Sequence, residues 1–158
     1  MKTETNPLKE LVPDSVLPYP SKSKDRAKYF FWRMVRPRPY GKIRNGLLAT
    51  KVIRHHGRQH YLIGRLDPNK IEKFLKYIAT QGFGYHFVAW EDSDEVIGMR
   101  RLDGFYHQYH IRIFADGEVR GHYEYTPEAH CIKHLKKVGQ QERRKDFAKF
   151  LGDWVTYS

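Results

Sequence analysis

Apolar positions recur along this chain with two different periods, and the changes of period mark its elements. Residues 47–55 and 58–66 read as two strands joined at His56-Gly57 in a short hairpin. Asp67 followed by Pro68 then supplies a helix cap and a first helical residue. Ile71, Phe74, Leu75 and Ile78 follow at helical spacing, and Gly82 ends the helix. Residues 85–90 and 96–102 read as a second hairpin around the acidic turn at 91–95. Residues 105–114 and 118–125 make a third hairpin, turning at Ala115-Asp116-Gly117. Thr126-Pro127 opens a helix to Val138 that stops at Gly139, and a last helix over 141–155 buries Phe147, Phe150, Leu151 and Trp154.

Strands joined by tight turns predict a mainly antiparallel sheet. The expected class is therefore α+β, a sheet built from three hairpins with helices packed on one face and the other face free for function. Four prolines lie within residues 1–24, so this part reads as a disordered or loosely docked tail with Leu8, Leu11 and Val12 resting on a single domain over 25–158. Residues 26–34 fit a short helix capped by Asp25, with a strand as the other reading; at least two of Phe30, Phe31 and Trp32 are expected in the core. Arg36-Pro37-Arg38-Pro39-Tyr40-Gly41-Lys42 excludes helix and reads as an extended arm with splayed side chains.

Charge changes this picture more than composition does. Residues 21–66 hold thirteen Lys and Arg against one acid, Asp25, whereas residues 67–158 carry fourteen of each sign. A cationic block beside a neutral scaffold suits a polyanion. The rings among these charges, Tyr29, Phe30, Phe31, Trp32, Tyr40 and Tyr61, suit stacked bases of a single strand. Arg33, Arg36, Arg38, Tyr40, Lys42 and Arg44 are the expected nucleic-acid contacts. The polar N-terminus does not resemble a signal peptide, and no apolar run approaches the ~18 residues of a membrane span. The single Cys131 fits a reducing compartment, and the expected location is cytoplasmic.

The third hairpin carries the candidate chemistry. With Gly117 in the left-handed position of a three-residue loop, Ile113 meets Val119, Ile111 meets Gly121 and Tyr109 meets Tyr123 on an apolar face. The opposite face then presents His110 beside His122, Arg112 beside Arg120, and Glu124 diagonal to His110. Paired imidazoles can act as general base and acid on RNA, with Arg112 and Arg120 on the phosphate and Glu124 orienting a ring. Anion binding without chemistry and an ordinary solvated strand face are the competing readings of the same residues.

Nine histidines raise the question of a metal. His130 and His134, four apart on one helix, are the pair with ligand spacing, and Lys133, Lys136 and Lys137 beside them disfavour a dication. His55, His56, His60 and His86 show no comparable spacing. No metal and no cofactor are therefore expected. Glycine-rich phosphate loops, a nucleophile elbow and paired zinc cysteines are absent from the sequence. The expectation is a nucleic-acid-binding protein, in its catalytic version a small endonuclease for RNA or single strands. The alternative is a non-catalytic nucleoprotein or adaptor that binds an acidic protein partner.

Overall fold

The computed structural model describes residues 7–35, 42, 46–47, 49–51, 58, 60–86 and 94–157. Its strands are β1 (Tyr61–Leu66), β2 (Gly84–Tyr85), β3 (Glu95–Asp103), β4 (His107–Phe114), β5 (Glu118–Tyr125) and β6 (Val155–Tyr157). Its helices are α1 (Ser23–Val35), α2 (Ile71–Thr80), α3 (Pro127–Leu135) and α4 (Arg144–Leu151). The strands form one antiparallel sheet in the order β2-β3-β4-β5-β1-β6. The α+β class with an antiparallel sheet is thus as expected. Among the described residues no helix is long and apolar enough to cross a membrane.

The apolar side of the sheet holds the core. Ile97 and Met99 of β3, Ile111 and Ile113 of β4 and Val119 of β5 meet Phe74, Leu75 and Ile78 of α2 and Phe147 and Leu151 of α4. The α2 spacing places its three large apolar residues on one stripe, which is why that helix was legible. Its start uses the expected pair: Asp67 accepts a hydrogen bond from the Asn69 amide at 3.0 Å, and Pro68 opens a 3-10 turn that runs into the helix. At the edge, Leu8 and Leu11 pack against the core and Val12 is buried in it. Ser15 and Tyr85 join the N-terminal segment to β2 through two backbone hydrogen bonds of 2.8–3.0 Å, covering a short strand edge.

The hairpin of β4 and β5 has the register read from its turn. His110 lies opposite His122, Arg112 opposite Arg120 and Ile113 opposite Val119. Gly117 sits at φ +83°, where a side chain is strained, and a Cβ there would stand 2.0 Å from the Leu66 carbonyl oxygen.

Four expectations give way. Residues 46, 47 and 49 are helical, and the Thr50 amide and hydroxyl both donate to the Gly46 carbonyl, so the expected strand does not begin at Leu47; residues 52–57, with the His56-Gly57 turn, lie outside the described residues. β1 pairs with β5 and β6, elements far from it in sequence. The last helix is shorter than 141–155, because Gln141 bridges to Tyr123 and Gly152 at φ +55° turns the chain into β6. Residues 26–34 are helical, but Asp25 lies inside the first turn of α1, where its carboxylate accepts from Tyr106 and Lys28. Phe30 and Phe31 are about half exposed, not core, because α1 turns Asp25 and Lys28 rather than these rings toward the domain. The expected strand over 85–90 is described only to His86, where β2 spans Gly84–Tyr85.

Candidate functional site

The polar side of the sheet is not open to solvent. Arg100, Gln108, His110, Arg112, His122 and Glu124 are all buried. Residues of α3 and the segment before α1 help to close it: Glu128 and Ser15 both bond Arg100, while Lys28 of α1 reaches the Ala129 carbonyl at 3.1 Å. Burying this many polar groups is tolerable only where they find partners.

Two rows of side chains cross the strands. One runs from Arg100 on β3 to His110 on β4 and His122 on β5, because these residues are opposed in the two registers. Tyr61 is paired with Gly121, so His60, one residue earlier, arrives beside His122; the two rings stack with centroids 4.0 Å apart. His60 and His110 meet edge to face at 5.3 Å, and His110 meets His122 at 5.4 Å. The neighbouring row contains Gln108 opposite Glu124.

Glu124 is the hub. It accepts from His122 Nε2 at 2.8 Å, Gln108 Nε2 at 2.9 Å, His134 Nδ1 at 3.2 Å and Gln140 Nε2 at 3.2 Å, and His110 Nδ1 lies 3.6 Å away. Burial by itself would raise its carboxyl, but the bonds from His110, His122 and His134 outweigh burial and hold it well below the usual range. His134 responds in the opposite sense: burial would lower its imidazole, yet Glu124 lifts it above the ordinary value. His110, shut away from water, is pushed down to about 4 despite the help of Glu124. Burial and then the neighbouring His122 lower His60, and burial with the Arg100 charge lowers His86.

This geometry revises the expected acid–base pair. His110 and His122 do lie together with Glu124, as the register requires, but inside the protein and with His110 far from neutral titration. Arg112 and Arg120 each carry a carboxylate of their own, Glu95 and Glu118. Arg112 is buried with its partner, and Arg120 also donates to the carbonyls of Arg58 and His60 at 3.2 and 2.9 Å. The two cations opposed across the strands are thereby neutralised locally.

Each of the three clustered histidines keeps one buried ring nitrogen without a hydrogen-bond partner: His60 Nδ1, His110 Nε2 and His122 Nδ1. One ring nitrogen from each of the three lies within 4.8 Å of the others. Among the described residues this is the group placed to hold a metal ion. The pair singled out from sequence is not. His130 departs from helical backbone at φ −142°, ψ 68°, which breaks α3 and ends the four-residue facing of the pair. Its ring lies against Tyr125 and Tyr106, while His134 turns to Glu124. His60 was missed because no local spacing marks it; the insertion of β1 beside β5 brings it in.

The basic stretch is distributed differently. Arg58 is spent internally, bonding Asp94 at 2.6 Å, Asp116 at 2.8 Å and Glu118 at 3.1 Å, and it clips the chain before β1 to two turns. Lys22, Lys24, Arg26, Arg33 and Lys42 are exposed. Tyr19, Phe30 and Phe31 are about half exposed beside them, with Tyr19 and Phe30 in edge contact at 6.2 Å and Arg26 over the Tyr19 ring at 5.5 Å. Arg33 also lines a cavity of about 250 Å³ with Tyr29, Trp32, Arg100 and Glu128. Arg36, Arg38, Tyr40 and Arg44 lie outside the described residues. No protein-family model matches the chain, and neither a curated protein nor a solved structure matches it.

Proposed function

We propose that the chain binds single-stranded nucleic acid, RNA or DNA, through α1 and the basic stretch that contains it. The observation that carries the reading is the exposed pairing of rings with cations on one helix: Phe30 and Phe31 beside Arg26 and Arg33, with Lys22, Lys24 and Tyr19 adjoining. An exposed ring is a platform for a base, and the cations pair with the phosphates that follow it. Isolated exposed apolar residues need no explanation, but a cluster of them inside a cationic block suits this ligand. Binding comes ahead of cleavage in this reading, since His110 and His122 are buried and offer no open strand face to a scissile phosphate.

The test is fluorescence anisotropy of labelled single-stranded RNA, single-stranded DNA and duplex, with the wild type and with Phe30→Ala/Phe31→Ala. Base stacking contributes about 1–3 kcal/mol per base, so the double variant should weaken single-strand binding by at least about tenfold. The logarithm of affinity should fall with that of salt, with a slope near −0.7 for each phosphate engaged. Failure to bind any of these ligands at about 0.1 M salt, together with capture of an acidic polypeptide such as polyglutamate, would transfer the surface to an acidic protein partner.

A further inference from the structure

We propose that His60, His110 and His122 form a binding site for one divalent ion of the zinc class. The proposal does not depend on nucleic acid. It starts from the three unpartnered ring nitrogens. A buried polar atom without a hydrogen bond costs about 1–3 kcal/mol, and native interiors hold few of them. Three such atoms, on His60 just before β1 and on β4 and β5, belong to rings that each bring one nitrogen within 4.8 Å of the others, and they point to a ligand that accepts lone pairs.

The tautomers agree with this. His122 donates its Nε2 proton to Glu124 at 2.8 Å, which leaves the lone pair on Nδ1. His110 turns Nδ1 toward the same carboxylate at 3.6 Å, which leaves the lone pair on Nε2. Those are the two nitrogens without partners. A carboxylate behind a ligating imidazole is the usual outer support of a zinc site, because it fixes the ring and raises its basicity. Glu124 serves two rings at once and is itself held by Gln108 and Gln140.

The third ligand is held by the backbone. His60 sits at φ +81°, an uncommon conformation for a residue with a side chain, and Arg120 grips its carbonyl at 2.9 Å. Tetrahedral zinc with bonds of about 2.0–2.1 Å needs nitrogens about 3.3–3.4 Å apart, so the rings would draw together by about 1–1.5 Å from their outer spacing. Charge permits it: the Arg112 cation is matched by Glu95, and Glu124 offsets part of the ion's charge.

Neutral imidazoles select zinc, cobalt, nickel or copper over magnesium and calcium. Cys131 is exposed on α3 and is not one of the clustered ligands, so no thiolate joins the set. Among the described residues the cluster supplies three protein ligands, the number found in zinc sites that activate a bound molecule, whereas structural sites are closed by four.

The test uses the full chain without an affinity tag, stripped of metal and titrated with Co²⁺ and then Zn²⁺. The wild type should take up one equivalent of Co²⁺ with visible d–d bands, lose them to Zn²⁺, and melt at a higher temperature with Zn²⁺ present. His60→Ala, His110→Ala and His122→Ala should each abolish the stoichiometric bands, whereas His130→Ala should keep them. Glu124→Gln should weaken affinity about 10–100-fold without changing the stoichiometry. Circular dichroism checks the fold of each variant. Should the buried substitutions unfold the chain, His60→Ala decides, because His60 is only partly buried and precedes β1. No stoichiometric uptake by the wild type, or uptake that survives His60→Ala, overturns the proposal, as would equal competition by Mg²⁺.

Discussion

The two faces of the central strand β4 are both buried, by opposite chemistry. On one face Ile111 and Ile113 of β4 pack against α2 and α4 with no polar atom to satisfy. On the other, the alternate residues of the same strand, Gln108, His110 and Arg112, are as deeply enclosed but polar or charged. The apolar face is stabilised by area and fit, and tolerates nothing that opens a cavity. The polar face is stabilised only so far as its partners are complete, and each group left incomplete there costs about 1–3 kcal/mol. The first face explains why the chain folds; the second is where its chemistry is concentrated.

The largest expected effect comes from opening the apolar face. Phe147→Ala should cost about 3–5 kcal/mol in urea unfolding through lost burial and an unfilled cavity. A loss below about 1 kcal/mol would mean that α4 does not depend on this contact. On the polar face the comparable change is Arg100→Met, which keeps the volume but strands Glu128, Gln108 and Ser15. It should cost about 3 kcal/mol, and the double variant Arg100→Met/Glu128→Leu should recover much of that loss. If the single and double variants were equally unstable, fit rather than pairing would govern this face too.

Acidification should separate the faces without any substitution. His110 is neutral in the fold with a pKa of about 4, against about 6.5 when unfolded, so the unfolded chain binds more protons as pH falls. Stability is complete above about pH 6.5 and declines toward pH 4, by on the order of 2 kcal/mol at about pH 5 from this group. His60 and His86, also lowered, act in the same direction. His134, raised by Glu124, opposes them, since its contribution is present at low pH and lost as pH rises. The charges facing His110 are Glu124, His122 and Arg112, so Glu124→Gln should steepen the acid loss. Denaturant unfolding of the metal-free chain at a series of pH values reads this directly; a flat profile between about pH 7 and 5 would mean that His110 is accessible to water.

The smallest stability effect belongs to α1. Phe30→Ala and Phe31→Ala, half exposed, should each change stability by no more than about 0.5 kcal/mol. A larger loss would show these rings to be buried against the protein and would remove them as a platform for bases.

Much of the hairpin was legible because its turn is a local signal. Ala115-Asp116-Gly117 sets the register, and the register alone puts His110 against His122. The α2 helix was legible for the same reason, with its cap, its stripe and Gly82 all within one short segment. What could not be read was non-local. Alternation of apolar and polar residues identifies two faces of a strand but not what covers the polar one, so the closure over Arg100 and Glu124 was invisible. His60 is the sharper case. Its partners lie on a hairpin fifty or more residues later, and only the placement of β1 between β5 and β6 makes it their neighbour. The i, i+4 rule that favoured His130 and His134 failed because it presumes an unbroken helix, and the backbone at His130 is not helical.

X-ray absorption at the zinc edge of the loaded full chain is the most direct test of the polar face's assignment. The account predicts a first shell with three imidazole nitrogens at about 2.0–2.1 Å and the outer-ring scattering of histidine. A sulfur at about 2.3 Å, or a shell of oxygens without imidazole, would contradict it.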